Sequence, residues 1–508
     1  MRMLDRWTEK PARALDTCTW WPPPTHSRVH AMENALVRVA GPTPYDSPTH
    51  AFDEAFSGPD ELRAHYRDAV AALRACDLRE LSRVLDEDVA DEGMDFRTAG
   101  GDRRRFPLDC VPRIIERGEW QVLERGLAQR AETLNAFMAD ICGERRIVAA
   151  GVLPARVLES AESAEPDMPA IASATGVHAA VCGFDVVRDA DGELRVLEDN
   201  LRTPSGLAYV ETIRTILDER LPFAPPADRA PLGIAELLGE ALRGAAPPAA
   251  GGDPSVVLLS DGPLNSAWWE HHRLARALGI PLVTPRDLDL RNGRINARDG
   301  GRRFEVDVIY RRTSEERLRD GARNPTWLGA LLLEPLRRGR VACVNAFGTG
   351  VADDKLVHAY VEDMVRFYLG QEPLVRSVAT FDPGEPAVRA EVLDRIDELV
   401  VKPRNGSGGE GVLIGPHSSR ENRARATRRI AARPHAFVAQ ETIMISTHPT
   451  AVGATLEPRH VDLRPFAFCT PSGVRVMCGG LTRVALDRGA LIVNSSMNGG
   501  GKDTWVLG

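Results

Sequence analysis

The chain has 508 residues, of which 43% are hydrophobic and 27% are charged, so its composition excludes a disordered or fibrous protein. Lys and Arg number 64 against 72 Asp and Glu, and this net charge of −8 lacks the basic excess that a general nucleic-acid binder needs. At about 150 residues per domain, the length predicts two to four domains.

The cysteines and the first residues favour an intracellular protein. The eight cysteines are scattered and include no C-x-x-C pair, which is typical of reduced thiols. The first thirty residues carry Asp5, Glu9 and Asp16 and lack the apolar run of a signal peptide. No stretch approaches about 18 uninterrupted apolar residues. The sequence therefore predicts a cytoplasmic protein without a membrane span.

The first half of the chain is predicted to form a leader, a helical layer and a group of strands. Residues 1–60 are rich in Pro and Trp and show no long period, so we expect an extended leader. From Glu61 to Leu153 apolar residues recur at helical spacing, and around residues 176–210 the pattern becomes that of strands. Residues 61–225 are therefore expected to form one unit.

The second half begins with a predicted linker, residues 226–254, which ends in a stretch rich in Gly, Ala and Pro. Residues 255–350 are predicted to form a β-α-β domain, because Ser255–Ser260 is typical of a buried strand and is followed by a helical and a second strand pattern. Residues 351–508 alternate glycine-rich turns with apolar strands, a pattern that predicts an α+β nucleotide-binding lobe.

An acidic hairpin is predicted around the turn Asp191-Gly192, a strong two-residue turn signal. Centring the hairpin there places Asp185 opposite Glu198, and the strand period of two puts Asn200 on the same face. Two carboxylates about 5 Å apart repel by about 3 kcal/mol at an effective dielectric constant near 20, unless a cation lies between them. Oxygen ligands of this kind suit Mg²⁺. A solvated acidic hairpin without a metal is the alternative.

Arg202, Ser205 and Gly206 follow the hairpin within the stretch RTPSG. A guanidinium and small residues at this place suit an anionic substrate.

Lysine is rare in this chain, since four of the 64 basic residues are lysine and the other 60 are arginine. Lys10 lies in the leader, whereas Lys355, Lys402 and Lys502 lie in the last 155 residues, each within four residues of a glycine or an aspartate. A compact ammonium in such places indicates a specific need that a guanidinium does not meet. The alternative for any one of these lysines is that it has been retained by chance and has no specific role.

Lys402 ends a predicted buried strand and precedes the glycine-rich loop Gly406–Gly411. Loop N–H groups that approach closely, together with a lysine, can hold a polyphosphate. The order of residues is not that of a P-loop, in which the lysine follows the glycines. Lys355 starts a predicted helix 47 residues earlier and could reach the same phosphates.

Three further segments are weaker signals. The strand from Phe437 to Ile443 ends in polar residues, an edge that can read adenine and ribose. Arg464 and Arg483 are placed on adjacent strands, where one could stabilise a transferring phosphoryl group, although ordinary strand arginines are the alternative. The histidines of Glu270-His271-His272 are expected at the surface, and Asp109 has no assigned role.

Together these motifs resemble the circularly permuted ATP-grasp type 2 family, which is related to glutathionylspermidine synthetase. The resemblance covers residue 45 onward through these stretches: PLDCVPRII, EWQVLERGLAQRAETLNAF, VLEDNLRTPSG, IYRR, NAFGTGVADDK, LVVKPRNGSGGEG, HVDLRPF, GGLTRVAL and NSSMNGGGKDTWVL. It implies a multidomain α+β and α/β fold, with the metal-binding half of the ATP-grasp in residues 61–225 and a pre-ATP-grasp-like domain in residues 255–350. The acidic strands precede the lysine loop, as a circular permutation requires.

The resemblance also implies roles for residues, with ATP and Mg²⁺ as cofactors. The implied metal ligands are Asp185, Glu198 and Asn200. The implied nucleotide contacts are Lys355, Lys402, Gly406, Ser407, Gly408, Gly409, Gly411, Gln440, Glu441 and Ile443. The implied catalytic residues are Arg202, Lys402 and Arg483, the two arginines serving the acyl-phosphate site.

The implied activity is ATP-dependent joining of a small-molecule carboxylate to an amine, such as amino acids or peptides, through an acyl phosphate. A noncatalytic nucleotide-binding or scaffold subunit and an ATP-grasp phosphotransferase are the alternatives. A protein partner and a homo-oligomer stay open. Nucleic acid and membrane are not expected as partners.

Overall fold

The structure is a computed structural model that describes residues 45–46, 48, 50–59, 61–97, 102–162, 164–405, 411–491, 493 and 499–508. The predicted leader lies mostly outside the described residues. Described residues belong to one compact unit, Pro42–Gly508, and the division into domains stays a prediction.

Thirteen α-helices occur in the described part of the chain. They are α1 Arg67–Ala75, α2 Leu78–Asp91, α3 Arg117–Cys142, α4 Arg146–Ala149, α5 Ala155–Glu159, α6 Leu207–Arg220, α7 Ile234–Gly244, α8 Trp268–Leu278, α9 Trp327–Arg337, α10 Lys355–His358, α11 Val361–Leu369, α12 Pro386–Asp394 and α13 Arg420–Ala432. None of these helices is both long enough and apolar enough to cross a bilayer.

The described residues also form 23 strands in seven sheets. In chain order the strands are β1 Phe56–Gly58, β2 Glu61–Leu62, β3 Asp95–Arg97, β4 Arg103–Arg105, β5 Arg113–Ile115, β6 Val181–Arg188, β7 Leu194–Asn200, β8 Val256–Ser260, β9 Leu282–Val283, β10 Leu288–Arg291, β11 Arg294–Asp299, β12 Arg302–Glu305, β13 Val308–Arg312, β14 Ala342–Val344, β15 Thr380–Phe381, β16 Leu399–Pro403, β17 Leu413–Ile414, β18 Phe437–Glu441, β19 Thr447–Val452, β20 Thr455–Thr470, β21 Gly473–Ala485, β22 Gly499–Lys502 and β23 Thr504–Val506.

A six-stranded sheet forms the centre of the molecule. Its order is β22-β21-β20-β6-β7, and β19 also pairs with β20. All of its paired strands run antiparallel, so the hairpin β6-β7 and the long hairpin β20-β21 lie side by side. Helix α3 packs against this sheet through apolar residues that recur at helical spacing, among them Trp120, Leu127 and Phe137. Val122, by contrast, lies on the exposed face of the helix.

A smaller sheet carries the lysine loop. Its order is β15-β18-β16-β17, and β16 pairs antiparallel with both β17 and β18. Its core includes Leu399, Val401 and Phe437, together with Ile430 of helix α13. The predicted order of strand, loop and strand around Lys402 is therefore present.

A four-stranded parallel sheet follows the predicted linker. Strands β8 and β9 run parallel with helix α8 between them, which confirms the predicted β-α-β unit, and β13 and β14 extend the sheet in the order β14-β13-β8-β9. The stretch predicted as a linker, residues 226–254, contains helix α7, whose Leu238 and Ala241 are fully buried in the core.

The residues after 499 complete two sheets. Strand β22 pairs with β21, while β23 pairs parallel with β5 near the start of α3. Trp505 on β23 is 1% exposed and packs against Ile114 and Tyr66 in one apolar cluster. The last described strands are therefore part of the core.

Candidate functional site

A cavity of about 240 Å³ lies where the central sheet meets the smaller sheet. Strands β6, β7, β20 and β21 supply one part of its wall, and strands β16, β17 and β18 supply another. Apolar side chains form part of the wall, namely Val187, Leu197, Val400, Ile414, Ile443 and Ile445. The rest of the wall is largely polar and carries both carboxylates and cationic side chains, so the cavity suits a ligand with one apolar part and one charged part.

The hairpin β6-β7 brings the three predicted oxygen donors to this cavity. Asp185 pairs with Glu198, as the sequence predicts, and Asn200 lies two residues further along β7. All three line the cavity. The Asn200 side-chain amide lies close to the Asp185 carboxylate, with Nδ2 at 3.4 Å from Oδ1. Beyond Asp185 the register slips by one residue at a bulge, so Val186 pairs with Val196.

Asp185 is the centre of a buried cluster of two carboxylates and two guanidiniums. Arg464 donates to both Asp185 oxygens, at 2.6 and 2.9 Å. Arg483 lies 2.8 Å from Oδ2 of Asp185 and also donates to both oxygens of Asp462, at 2.8 and 2.5 Å. Burial alone would raise the pKa of Asp185, but the two arginines hold it below its ordinary value. For Asp462 burial dominates and the pKa is raised.

The two predicted phosphate lysines line the same cavity as the acidic hairpin. The Lys355 ammonium lies 2.6 Å from Oε1 of Glu198. Lys402 lines the same cavity at the end of β16. Burial lowers the pKa of Lys402 to about 8; the Glu198 carboxylate opposes this effect and the Lys355 ammonium adds to it.

A buried ion pair holds the segments that carry these lysines. Arg404, two residues after Lys402, donates its Nε to both oxygens of Asp354, at 2.6 and 2.7 Å. Asp354 is also the N-cap of helix α10, which Lys355 begins. Both members of the pair are less than 5% exposed. The positions of the two ammonium groups are therefore coupled through one rigid contact.

Asp353 connects the start of α10 to the stretch RTPSG. Its carboxylate accepts from the backbone N–H groups of Leu201 and Arg202, at 2.7 and 2.9 Å. The Arg202 guanidinium lies 3.3 Å from Asp353 and 3.8 Å from Glu316, and its side chain is 38% exposed. Arg202 is thus the more accessible of the two predicted catalytic arginines, while Arg483 is held by two carboxylates.

The predicted adenine hinge, Gln440 to Ile443, lines the cavity. The side-chain amide of Gln440 donates to Leu197 O and Thr380 Oγ1, at 3.2 and 2.9 Å. Both oxygens of Glu441 accept from Arg395, at 2.7 and 2.9 Å. The backbone of Gln440 pairs with β15 and β16, and the Glu441 N–H donates to Ala379 O at 3.0 Å, so Thr442 and Ile443 are the hinge residues that lie beyond the end of β18.

The glycine loop is described at one position. Gly411 has a φ of +72°, and a Cβ added there would lie 2.9 Å from Cγ of Pro403, so glycine is required by both conformation and space. The other predicted loop contacts, Gly406, Ser407, Gly408 and Gly409, lie outside the described residues.

The donor set fits a magnesium ion in chemical type. Glu198, Asn200 and Asp185 offer carboxylate and amide oxygens only, and such hard donors suit Mg²⁺. Both Asp185 oxygens accept from arginine, so this residue would join Glu198 and Asn200 around an ion after a guanidinium moves aside. Across the residues that the structure describes, no group of three or more His, Cys, Asp or Glu side chains is arranged to hold a metal.

Two expectations outside the cavity changed with the structure. His271 is wrong as a surface histidine: it is 1% exposed and its Nδ1 lies 2.8 Å from Ser260 Oγ, because its face of α8 packs on the parallel sheet. His272 is exposed, as predicted. Asp109, which had no role, forms a buried ion pair with Lys502 and accepts from the Val111 N–H. Lys502 therefore anchors a strand and does not line the cavity.

Sequence reasoning missed Asp353, Asp354, Arg404 and Asp462 as parts of the site. Each is adjacent or nearly adjacent to a predicted site residue or arginine, and this proximity was the available signal. Their partners lie far away along the chain, 50 residues in the case of Arg404 and Asp354.

Comparison with known proteins gives one family and one fold. Residues 112–485 match the family model described as circularly permuted ATP-grasp type 2. An uncharacterized protein of Mycobacterium leprae is 43% identical over 464 residues, which cover 90% of this chain and 82% of that protein. A Frankia casuarinae protein named "Putative glutamate--cysteine ligase 2-2" is 44% identical over 468 residues, which cover 90% of this chain and 53% of that protein.

A solved structure of a glutathione synthetase-like effector from Globodera pallida, in its apo form, has a TM-score of 0.55 to this chain at 12% identity. The likeness covers 85% of this chain and 97% of the effector. At this level of identity the likeness concerns the fold alone.

Proposed function

Because this chain belongs to the circularly permuted ATP-grasp type 2 family, we propose that it is a carboxylate–amine ligase that uses ATP and forms an amide or peptide bond. The family match and the fold of the effector confirm the resemblance and the mixed α/β fold predicted from the sequence. The reaction, its substrates and the roles of the site residues form the proposal.

One observation carries the proposal: the acidic hairpin, the two lysines and the arginines line a single cavity that also has an apolar wall, which includes Leu197, Val400 and Ile443. These groups come from segments up to about 300 residues apart, from Asp185 to Arg483. A nucleotide base against the apolar wall would place its phosphates among the lysines. The cavity thus supports binding of a nucleoside triphosphate.

The proposed reaction has two steps. A substrate carboxylate oxygen attacks the γ-phosphorus of ATP, the bond to the β-phosphate oxygen breaks, and ADP leaves. The nitrogen of an amine then attacks the carbonyl carbon of the acyl phosphate, inorganic phosphate leaves, and the amine loses a proton. Neither step needs a nucleophilic side chain from the protein.

Protein groups would act by positioning and by neutralising charge. Lys355 and Lys402 would hold the phosphates of the nucleotide. Arg202, which is accessible at the cavity, would meet the substrate carboxylate, and Arg483 would stabilise charge on the transferring phosphoryl group. A magnesium ion, when bound at Glu198, Asn200 and Asp185, would neutralise phosphate charge.

Names of relatives guide the choice of substrates to test. Two Frankia relatives carry a name that specifies glutamate–cysteine ligation. This chain spans about half of each, 53% and 54%, so the printed activity does not by itself identify the substrates of this chain. Glutamate with cysteine is the first pair to test, followed by pooled amino acids, small peptides and polyamines.

The decisive experiment measures magnesium-dependent ADP release from the purified protein with each carboxylate and amine pool. Glu198→Gln serves as the matched blank, since it removes one charge from the proposed metal site and keeps the size of the side chain. ADP release that requires both pools and is lost in Glu198→Gln would support the ligase, and mass spectrometry would then identify the amide.

Other outcomes would replace this proposal. A stable phosphorylated product without an amide would indicate a phosphotransferase. Bound ATP without ADP formation in every pool would indicate a noncatalytic nucleotide-binding subunit. Turnover that persists unchanged in Glu198→Gln would refute the assignment of the metal site.

A further inference from the structure

A second, much smaller cavity adjoins the proposed nucleotide cavity. Its space for the centre of a water molecule is about 10 Å³, which is enough for about one water. Glu198, Lys355, Lys402 and Gln440 line both cavities, and His358 lines the small one from helix α10. We call this small cavity the histidine chamber.

Two buried hydrogen-bond acceptors in this chamber have no partner among the residues that the structure describes. Nε2 of His358 and Oε1 of Gln440 are both buried without a hydrogen bond, and the two residues are 4% and 3% exposed. The amide orientation of Gln440 follows from its contacts: its Nε2 donates to the Leu197 carbonyl, so its oxygen is the atom left unpaired. A buried acceptor without a donor destabilises the folded protein, so a donor is expected at this place.

The imidazole of His358 is oriented so that Nε2 accepts a hydrogen bond. Its Nδ1 lies 2.7 Å from Oδ2 of Asp199, which can only accept, and 3.1 Å from Nη2 of Arg130, which can only donate. The shorter contact places the proton on Nδ1, because Arg130 Nη2 has Asp199 Oδ2 as its acceptor at 2.8 Å. Arg130 fixes that carboxylate through both of its oxygens, at 2.5 and 2.8 Å. Burial lowers the pKa of His358, which favours the neutral ring with a lone pair on Nε2.

A donor is available on the wall of the chamber. Lys355 is already paired with Glu198. Lys402, in contrast, donates no hydrogen bond to any residue within the described ranges. A water molecule between Lys402 and the two acceptors would give all three groups a hydrogen-bond partner. Water has two protons to donate to the acceptors, and its oxygen can accept from the ammonium.

We propose that one ordered water occupies the histidine chamber, donates its protons to His358 Nε2 and Gln440 Oε1, and accepts a hydrogen bond from the Lys402 ammonium. His358 is then a positioning residue: it acts through this water to hold Lys402 where a nucleotide phosphate would lie. The role in binding rests on the proposed function, whereas the presence of the water does not.

The first test compares ligands that do and do not carry phosphates. His358→Leu removes the acceptor and is expected to weaken ATP binding about tenfold, while the affinity for adenosine is unchanged. His358→Gln keeps an acceptor near the position of Nε2 and should lie closer to the native affinity for ATP. His178→Leu is the matched control, because His178 is buried and lines neither cavity.

A double-mutant cycle assigns the effect to the lysine. In a Lys402→Met background, which lacks the ammonium, His358→Leu should cause no further loss of ATP affinity. An equal loss for ATP and adenosine, or a tenfold loss that persists in Lys402→Met, would overturn the positioning role and leave the proposed nucleotide site standing. Failure of the native protein to bind ATP would overturn both.

A crystal structure of the nucleotide-free protein tests the water separately. Ordered density at hydrogen-bond distance from His358 Nε2, Gln440 Oε1 and Lys402 Nζ would support the proposal. An empty chamber, or a lysine side chain that fills it, would overturn the water site whether or not ATP binds.

Discussion

Raising the pH from 7 to 9 is expected to weaken ATP binding about tenfold, because Lys402 loses its proton in this interval. Its pKa is lowered from 10.5 to about 8, first by burial. The charged form, which attracts phosphate, is present below this pKa and is lost above it. The ammonium fraction of the free protein falls from about 90% at pH 7 to about 10% at pH 9, which gives the tenfold change.

The assay is the dissociation constant of Mg-ATP, measured by displacement of a fluorescent ATP analogue at intervals of half a pH unit. Lys402→Arg is the control, since a guanidinium keeps its charge over the whole range. Its affinity should be independent of pH between 7 and 9. An equally steep loss in Lys402→Arg, or a flat profile for the native protein, would refute the assignment of the alkaline limb to Lys402.

Two predictions concern stability, measured by urea unfolding. Asp109→Leu leaves the buried ammonium of Lys502 unpaired and should cost about 3–5 kcal/mol, whereas the double variant Asp109→Leu/Lys502→Met should recover part of this loss; equal stability of the single and double variants would contradict the ion pair. Gly480→Ala places a Cβ 2.6 Å from the carbonyl oxygen of Arg464, so we expect a loss of about 1–3 kcal/mol. Gly118→Ala, whose Cβ meets nothing within 4 Å, should lose no stability.

Local sequence signals in the acidic hairpin were enough to predict the pair of carboxylates in the candidate site. The Asp-Gly turn and the period of two place Asp185 opposite Glu198, and the structure has this pair. The turn itself is longer than predicted, because the Asp189 side chain accepts from the N–H groups of Asp191 and Glu193. The bulge after Asp185 offsets the greater length of the turn. Asp185 and Glu198 are therefore paired as predicted, although the predicted turn is too short.

Long-range partners could not be predicted in the same way. Nothing near Asp109 in the sequence indicates Lys502, which lies 393 residues away and reaches it because Leu108 and Gly501 form a parallel bridge. His271 could be read as a surface residue because its burial depends on a sheet that packs beneath α8. The parts of the fold set by local turns and periods were therefore predictable, whereas ion pairs across sheets depend on how distant segments assemble.

The position of β22 and β23 in the core also bears on how the protein is made. The central sheet lacks its edge strand β22, and β5 lacks its only partner strand among those described, until residues 499–506 have left the ribosome. Arg113–Ile115 cannot pair until a strand about 390 residues later in the sequence has been synthesised. So large a separation between paired strands slows folding. The growing chain would expose unpaired strand edges during this wait, so we expect the nascent protein to depend on chaperones during synthesis.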